Sequence, residues 1–192
     1  HENQKKSEPL SLTYHIGESF ESIGLAQSIA WILEASRMEI KRLGHALALG
    51  FEPFELLGSV QKIPRAYFSQ HLNWLKKEKD LLANSNLFKF EEKRMNRTSD
   101  FISIHYDKDY CEELRIFQIA VARIIKEKSM IIETCPTSNE MIISTKRKTI
   151  THPLKFFIEQ DLDIVLGTDD PGLFKTNLAE EVEKAVSYGL DL

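Results

Sequence analysis

A chain of 192 residues, 42% apolar and 28% charged, has the composition of a globular domain of ordinary size. Its formal net charge of -4 and pI near 5.9 argue against a general electrostatic grip on nucleic acid or on an anionic membrane. The two cysteines, Cys111 and Cys135, lie far apart and form no CxxC pair, so neither a disulfide framework nor a cysteine-zinc cage is expected, and a reducing cytoplasm fits best.

No apolar run approaches the ~20 residues that a membrane-spanning helix needs, and the opening HENQKKSEP is polar, with no targeting signature. The chain starts at His1 without methionine and soon enters a strand-like run, which reads as a fragment or a processed product. That run, Leu10-Ser11-Leu12-Thr13-Tyr14-His15, alternates apolar and polar residues and stops at Gly17. From Phe20 to about Met38, Ile23, Ala26, Ile29, Ala30, Leu33 and Ala35 follow a helical period. Arg42-Leu43-Gly44-His45-Ala46-Leu47 reads as a second short strand. Residues 1–50 thus form the first strand-helix units.

From residue 51 to 106 the rhythm breaks. Phe51, Phe54, Tyr67, Phe68, Trp74, Phe88 and Phe90 are mixed with charge runs such as 76–80 and Glu91-Glu92-Lys93-Arg94. The segment is too apolar for a disordered linker and reads as a mostly helical insertion whose charge runs are solvated faces. The remaining units occupy 107–192. Asp107 or Asp109 can cap a helix with Tyr110, Leu114, Phe117, Val121, Ile124 and Ile125 on one stripe. Met130 to Cys135 follows as a strand stopped by Pro136, then a short helix from Pro153 to Glu159. Leu162 to Gly167 reads as a buried strand, Thr168 to Gly172 as a turn, and Leu178 to Tyr188 as the last helix. Strands alternating with helices predict an α/β fold with a parallel sheet.

Polar residues recur where these strands end: His15 and Glu18, His45, Thr137-Ser138-Asn139, and Asp169-Asp170. In parallel α/β barrels, side chains distant in sequence converge at the C-terminal strand ends, and histidine with aspartate supplies donors suited to zinc. Singly, each residue has a plainer explanation. A lone histidine is more often a hydrogen-bonded structural residue, the reading given to His71 and His105. Paired aspartates before proline usually make a turn or helix cap, and Glu18 can simply sit at a helix N-terminus.

Taken together, the motifs follow one order. Tyr14-His15-Ile16-Gly17-Glu18 resembles the His-Ala-Gly-Glu motif of adenosine and AMP deaminases, and Arg42-Leu43-Gly44-His45 their Gly-His motif. Cys135-Pro136-Thr137-Ser138-Asn139 resembles their Cys-Pro-x-Ser-Asn segment, and Thr168-Asp169-Asp170-Pro171 their Thr-Asp-Asp-Pro segment. His152-Pro153 and Leu178-Ala179-Glu180-Glu181 match as well. The resemblance implies the C-terminal half of a zinc-dependent (β/α)8 TIM-type barrel. His15 and Asp169 would then be zinc ligands, and Glu18, His45 and Asp169 the catalytic set. Glu18 would protonate the purine ring nitrogen, and a desolvated pocket would favour the protonated carboxyl this requires. His45 would orient and deprotonate the attacking water, Asp170 would accept a hydrogen bond from the purine, and Gly17 would let the ring approach the backbone. The reaction would turn adenosine, deoxyadenosine or an adenine nucleotide into the inosine product and ammonia.

Three departures qualify the resemblance. Ile16 replaces the usual alanine, the 51–106 insertion is long, and the sequence contains no His-x-His, the motif that supplies the family's other two zinc ligands. Four strand-helix units cannot close an eight-stranded barrel, so an N-terminal half, in the same or a separate chain, is expected to complete it, and the fragment alone is expected to be inactive. The long insertion also resembles that of the deaminase subunit of the RADAR phage-defence system, which implies a homo-oligomer with an ATPase partner. A catalytically inactive deaminase-like assembly or nucleotide-binding subunit is the alternative from another class. A further amidohydrolase acting on a non-purine amine accounts for the metal residues but less well for the Gly-Glu and Asp-Asp-Pro wording.

Overall fold

The computed structural model describes residues 12–78, 80–94, 99–144 and 151–191. Strand β1 (Leu12–Ile16) leads into helices α1 (Phe20–Ile23) and α2 (Leu25–Ser36), and β2 (Ile40–His45) into the short α3 (Leu47–Gly50). The single helix expected from Phe20 is therefore two, parted at Gly24. Residues 10 and 11 of the expected first strand lie outside the described residues. After a 3-10 turn at Pro53–Leu56 come β3 (Val60–Pro64), α4 (Arg65–Lys77), α5 (Leu87–Arg94) and β4 (Phe101–His105). Then follow α6 (Lys108–Glu127), β5 (Ile131–Thr134), α7 (Pro136–Ser144), α8 (Pro153–Glu159), β6 (Asp163–Leu166), α9 (Pro171–Phe174) and α10 (Leu178–Ser187).

Four parallel strands form one sheet in the order β1-β2-β5-β6. Helix α6 starts where expected: Asp107 accepts a hydrogen bond from the Tyr110 amide, and Tyr110, Leu114, Phe117, Val121 and Ile125 are buried along one stripe. This helix packs against α2, which lies on β1 and β2, and in the sheet Leu43 and Ile132 stand side by side with no exposed surface.

The other face is open. Registers align Thr13, Arg42, Ile131 and Asp163 in one row and His15, Gly44, Glu133 and Val165 in the next. Arg42 reaches across its row to Thr13 and pairs with Glu133, but Ile131 and Val165 remain 38% and 37% exposed. The strand expected to be buried, β6, is thus covered on one side at most, its residues alternating between exposed and half-buried. It sits at the sheet edge, and an apolar sequence finds cover only where a neighbour is present.

Helices α4 and α5 make up the larger part of the regular structure in 51–106, and beside them β3 and β4 form a separate two-stranded antiparallel sheet that the helical expectation did not include. Its inward positions, Ile63, Ile102 and Ile104, are buried in the same core cluster as α2 and α6, so the segment shares the core of the parallel sheet. The charge runs are not wholly solvated either. Glu91 is fully buried, hydrogen-bonded by Tyr110 and paired with Arg94, which also lies over the Tyr110 ring. Burial pushes its carboxyl up, while Arg94 and the Tyr110 hydroxyl act in the opposite direction. Glu78 pairs with Arg37, and Trp74 donates to Glu34 at 2.6 Å, tying α4 to α2.

Candidate active site

The ends of β1, β2 and β6 bring four of the expected residues together. His45 closes β2 with φ 61°, and the Ala46 amide donates back to the Gly44 carbonyl at 2.8 Å, making a three-residue turn around it. Asp169, just beyond β6, is also left-handed at φ 55°. Such backbone costs a non-glycine residue about 1–2 kcal/mol, and strain of this kind concentrates where side chains are held for function.

His45 is buried and stands at the centre. Its Nε2 lies 3.7 Å from Glu18 Oε1 and 3.9 Å from Asp169 Oδ2. Its ring meets that of His15 edge-on with centroids 5.0 Å apart. Ligand atoms of His15, Glu18 and His45 all lie within 4.8 Å of one another. Proximity thus groups His15 with Glu18 and His45, whereas the motifs group His15 with Asp169, and His45 links the two sets.

The tautomer of His45 follows from its neighbours. Asn139 donates through Nδ2 to Thr134 Oγ1 at 2.8 Å, which turns its Oδ1 toward His45 Nδ1, also at 2.8 Å. An acceptor at Nδ1 requires the proton there, leaving the Nε2 lone pair directed at Glu18 and Asp169. Ser138 donates to Asp169 Oδ2 at 2.6 Å and so fixes that carboxylate. Both Ser138 and Asn139 are fully buried in the first turn of α7, immediately after the proline that ends the β5 segment. The sequence singled out this segment without assigning its side chains a role. A polar pair one residue beyond Cys135-Pro136 is the available signal.

The glycines have packing reasons. An added Cβ on Gly44 would lie 2.3 Å from His15 Cδ2, so the bare backbone of β2 is what lets the His15 imidazole lie across it. At Gly17 the backbone is left-handed, φ 85°, and a Cβ would lie 2.8 Å from Ile32 Cδ1. Ile16, the departure from the family's alanine, is half-buried against the core.

Asp170 serves as the helix cap that its position before Pro171 allows: Oδ1 accepts from the Gly172 and Leu173 amides, both at 3.1 Å. Glu18 and Asp169 keep 33% and 31% of their side-chain surface exposed, so the described residues alone do not enclose the cluster. A groove of about 380 Å³ borders Glu18, and a second of about 340 Å³, lined by Leu56, Val60 and Gln61 of the 51–106 segment, shares Phe20 and Glu21 with it.

Two other histidines behave differently from each other. His152 caps α8, accepting from the Leu154 amide at Nδ1 while Nε2 faces the Pro136 carbonyl, and burial lowers its pKa to about 4. His71 reads as a hydrogen-bonded structural residue, but among the described residues neither of its nitrogens has a partner, and it lies buried and stacked on Trp74. Burial lowers its pKa to about 3. His105 ends β4 as an exposed residue whose carbonyl accepts from Arg94.

The sequence model of the adenosine deaminase family matches residues 95–190, half of the chain. The chain belongs to the adenosine deaminase family. The match takes in the Cys135–Asn139 and Thr168–Pro171 motifs, and the geometry above joins His15, Glu18 and His45 to them. The chain is similar to the adenosine deaminase of Plasmodium falciparum (isolate 3D7), 31% identical over 65 residues, which is 34% of this chain and 17% of that protein. It is 32% identical over 72 residues to the aminodeoxyfutalosine deaminase of Acidothermus cellulolyticus, covering 38% of this chain and 20% of that one. With the adenosine deaminase of Shewanella woodyi it shares 37% identity over 65 residues, 33% of this chain and 19% of the relative. The matched stretch therefore spans a fifth or less of these relatives. Among the described residues no helix is long and apolar enough to cross a membrane.

Proposed function

We propose that the chain carries the acid-base half of a zinc-dependent deaminase that hydrolyses the exocyclic amine of adenosine, deoxyadenosine or an adenine nucleotide. The observation that carries this reading is the placement of His45, anchored through Nδ1 by Asn139 with Nε2 facing Glu18 and Asp169. Membership of the family, and purine-nucleoside deaminases among its similar relatives, support the substrate class.

Glu18 gives its proton to the purine ring nitrogen, and His45 takes a proton from the attacking water through Nε2. The water oxygen bonds to the adjacent ring carbon, and the bond from that carbon to the amine breaks. One water proton passes through His45 to the departing ammonia, and the other restores Glu18. Asp170 accepts from the purine through Oδ2, since Oδ1 is occupied by the cap. His15 and Asp169 offer a nitrogen and an oxygen donor that suit zinc, which when bound makes water acidic enough to react near neutral pH. The open sheet face, with Ile131 and Val165 uncovered, is the surface that a further barrel segment covers, and that segment brings the remaining ligands.

The full-length protein, supplied with zinc and offered adenosine, deoxyadenosine and AMP, is expected to release ammonia from at least one of them. Chelation should abolish the release and zinc restore it. No ammonia from any of the three overturns the reading.

A further inference from the structure

Glu181 lies at the start of α10, far in sequence from β1 and β2, and its carboxylate has no exposed surface. Burying a carboxylate is costly unless its oxygens are used, and here both are. Oε2 accepts from the Thr137 amide at 2.9 Å, one of the free N–H groups in the first turn of α7. Oε1 accepts from Thr176 Oγ1 at 2.6 Å, on the loop that follows α9. Glu181 thus joins the two segments that carry the hardware around His45. The first turn of α7 holds Ser138, bonded to Asp169, and Asn139, bonded to His45. The chain leading to Thr176 begins at Asp169 itself and passes through the Asp170 cap. Asn177, which caps α10 by accepting from the Glu180 amide, and Lys184, paired with Glu140, fix the helix that presents Glu181.

We propose that Glu181 is a positioning residue for deamination. By binding Thr137 and Thr176 at once, it holds the Ser138-Asn139 turn in register with the Asp169 loop, and so sets where His45 Nε2 and the Asp169 carboxylate stand. It touches neither substrate nor metal. Its effect falls on the step that needs His45 and Asp169 aligned rather than on binding of the purine, and it rests on the deaminase reading given above.

The test uses the full-length protein with three substitutions. Glu181→Leu keeps the volume and removes both acceptors. Thr176→Val removes one hydrogen bond and leaves the carboxylate in place. Glu181→Gln can still accept from the Thr137 amide and can donate to Thr176. Per folded molecule, kcat is expected to fall about 10- to 100-fold in Glu181→Leu and less in Thr176→Val, with KM within about a factor of two and most activity kept in Glu181→Gln. In nitrogen-15 NMR, the His45 Nδ1 proton, protected by Asn139 in the parent protein, should exchange faster in the same order. Should Glu181→Leu fail to fold, Thr176→Val and Glu181→Gln still decide. A fall in melting temperature with kcat and the His45 proton unchanged overturns the proposal. A parent protein that deaminates no adenosine compound sinks the functional reading instead, and the His45 proton then decides the role of Glu181 by itself.

Discussion

Asn139 accepts at Oδ1 from the Nδ1 proton of His45 across 2.8 Å, and the orientation of that amide is in turn fixed by Thr134. Two buried side chains on consecutive segments therefore determine which nitrogen of the central histidine is available. Asn139→Ala removes the acceptor and leaves a buried N–H without a partner, which costs about 1–3 kcal/mol and frees the ring to turn or to change tautomer. In the full-length protein, kcat is expected to fall about 10- to 100-fold, with a smaller change in KM. Steady-state kinetics on adenosine checks this, and an unchanged kcat would remove Asn139 from the account.

Acid should weaken the fold through His71. Its native pKa of about 3 lies below the ordinary value of 6.5, so the unfolded chain binds a proton that the native chain does not. Stability is full above pH 6.5 and is lost as the pH falls toward 3, at about 1.4 kcal/mol per pH unit once the unfolded chain is protonated. His152, with a native pKa of about 4, acts in the same direction over a narrower window. Denaturant unfolding between pH 7 and 4 should show a shallower pH dependence in His71→Leu than in the parent. Equal slopes would contradict the burial argument.

The chain of 192 residues by itself should hold zinc weakly and show little deaminase activity. Glu18 and Asp169 each keep about a third of their side-chain surface open, and the zinc donors proposed from this chain are His15 and Asp169 alone. Metal analysis after dialysis is the measurement. One tightly held zinc per isolated chain would show that His15, Glu18, His45 and Asp169 suffice, and that the open face needs no completing segment for metal binding.

Much of the parallel sheet was legible because three of its four strands end in a local signal: Gly17 after His15, Pro136 after Cys135, the Asp-Asp-Pro turn after Gly167. The α6 stripe and its Asp107 cap follow from side-chain periodicity alone. What was not legible depends on partners remote in sequence. Strands β3 and β4 are separated by two helices, and neither has a hairpin turn to announce its pairing. Glu91 reads as one charge in a solvated run, yet Tyr110 and Arg94 make its burial tolerable. The 51–106 segment reads as an insertion, but Phe51, Ile63, Phe68 and Ile102 belong to the common core, so deleting it would remove core. At the site, the motif positions were visible, whereas the Ser138 and Asn139 contacts that orient Asp169 and His45 required the fold.

In the proposed reaction Glu18 supplies a proton to the purine, beside His45 and the zinc donors His15 and Asp169. The most direct measurement compares inosine formation by the full-length parent and by Glu18→Gln at matched zinc content. The amide keeps the shape and can still hydrogen-bond, but it cannot donate the ring proton as a carboxylic acid does. Turnover is expected to fall by about a hundredfold or more while bound zinc stays the same. Undiminished turnover in Glu18→Gln with its full complement of zinc would contradict the account.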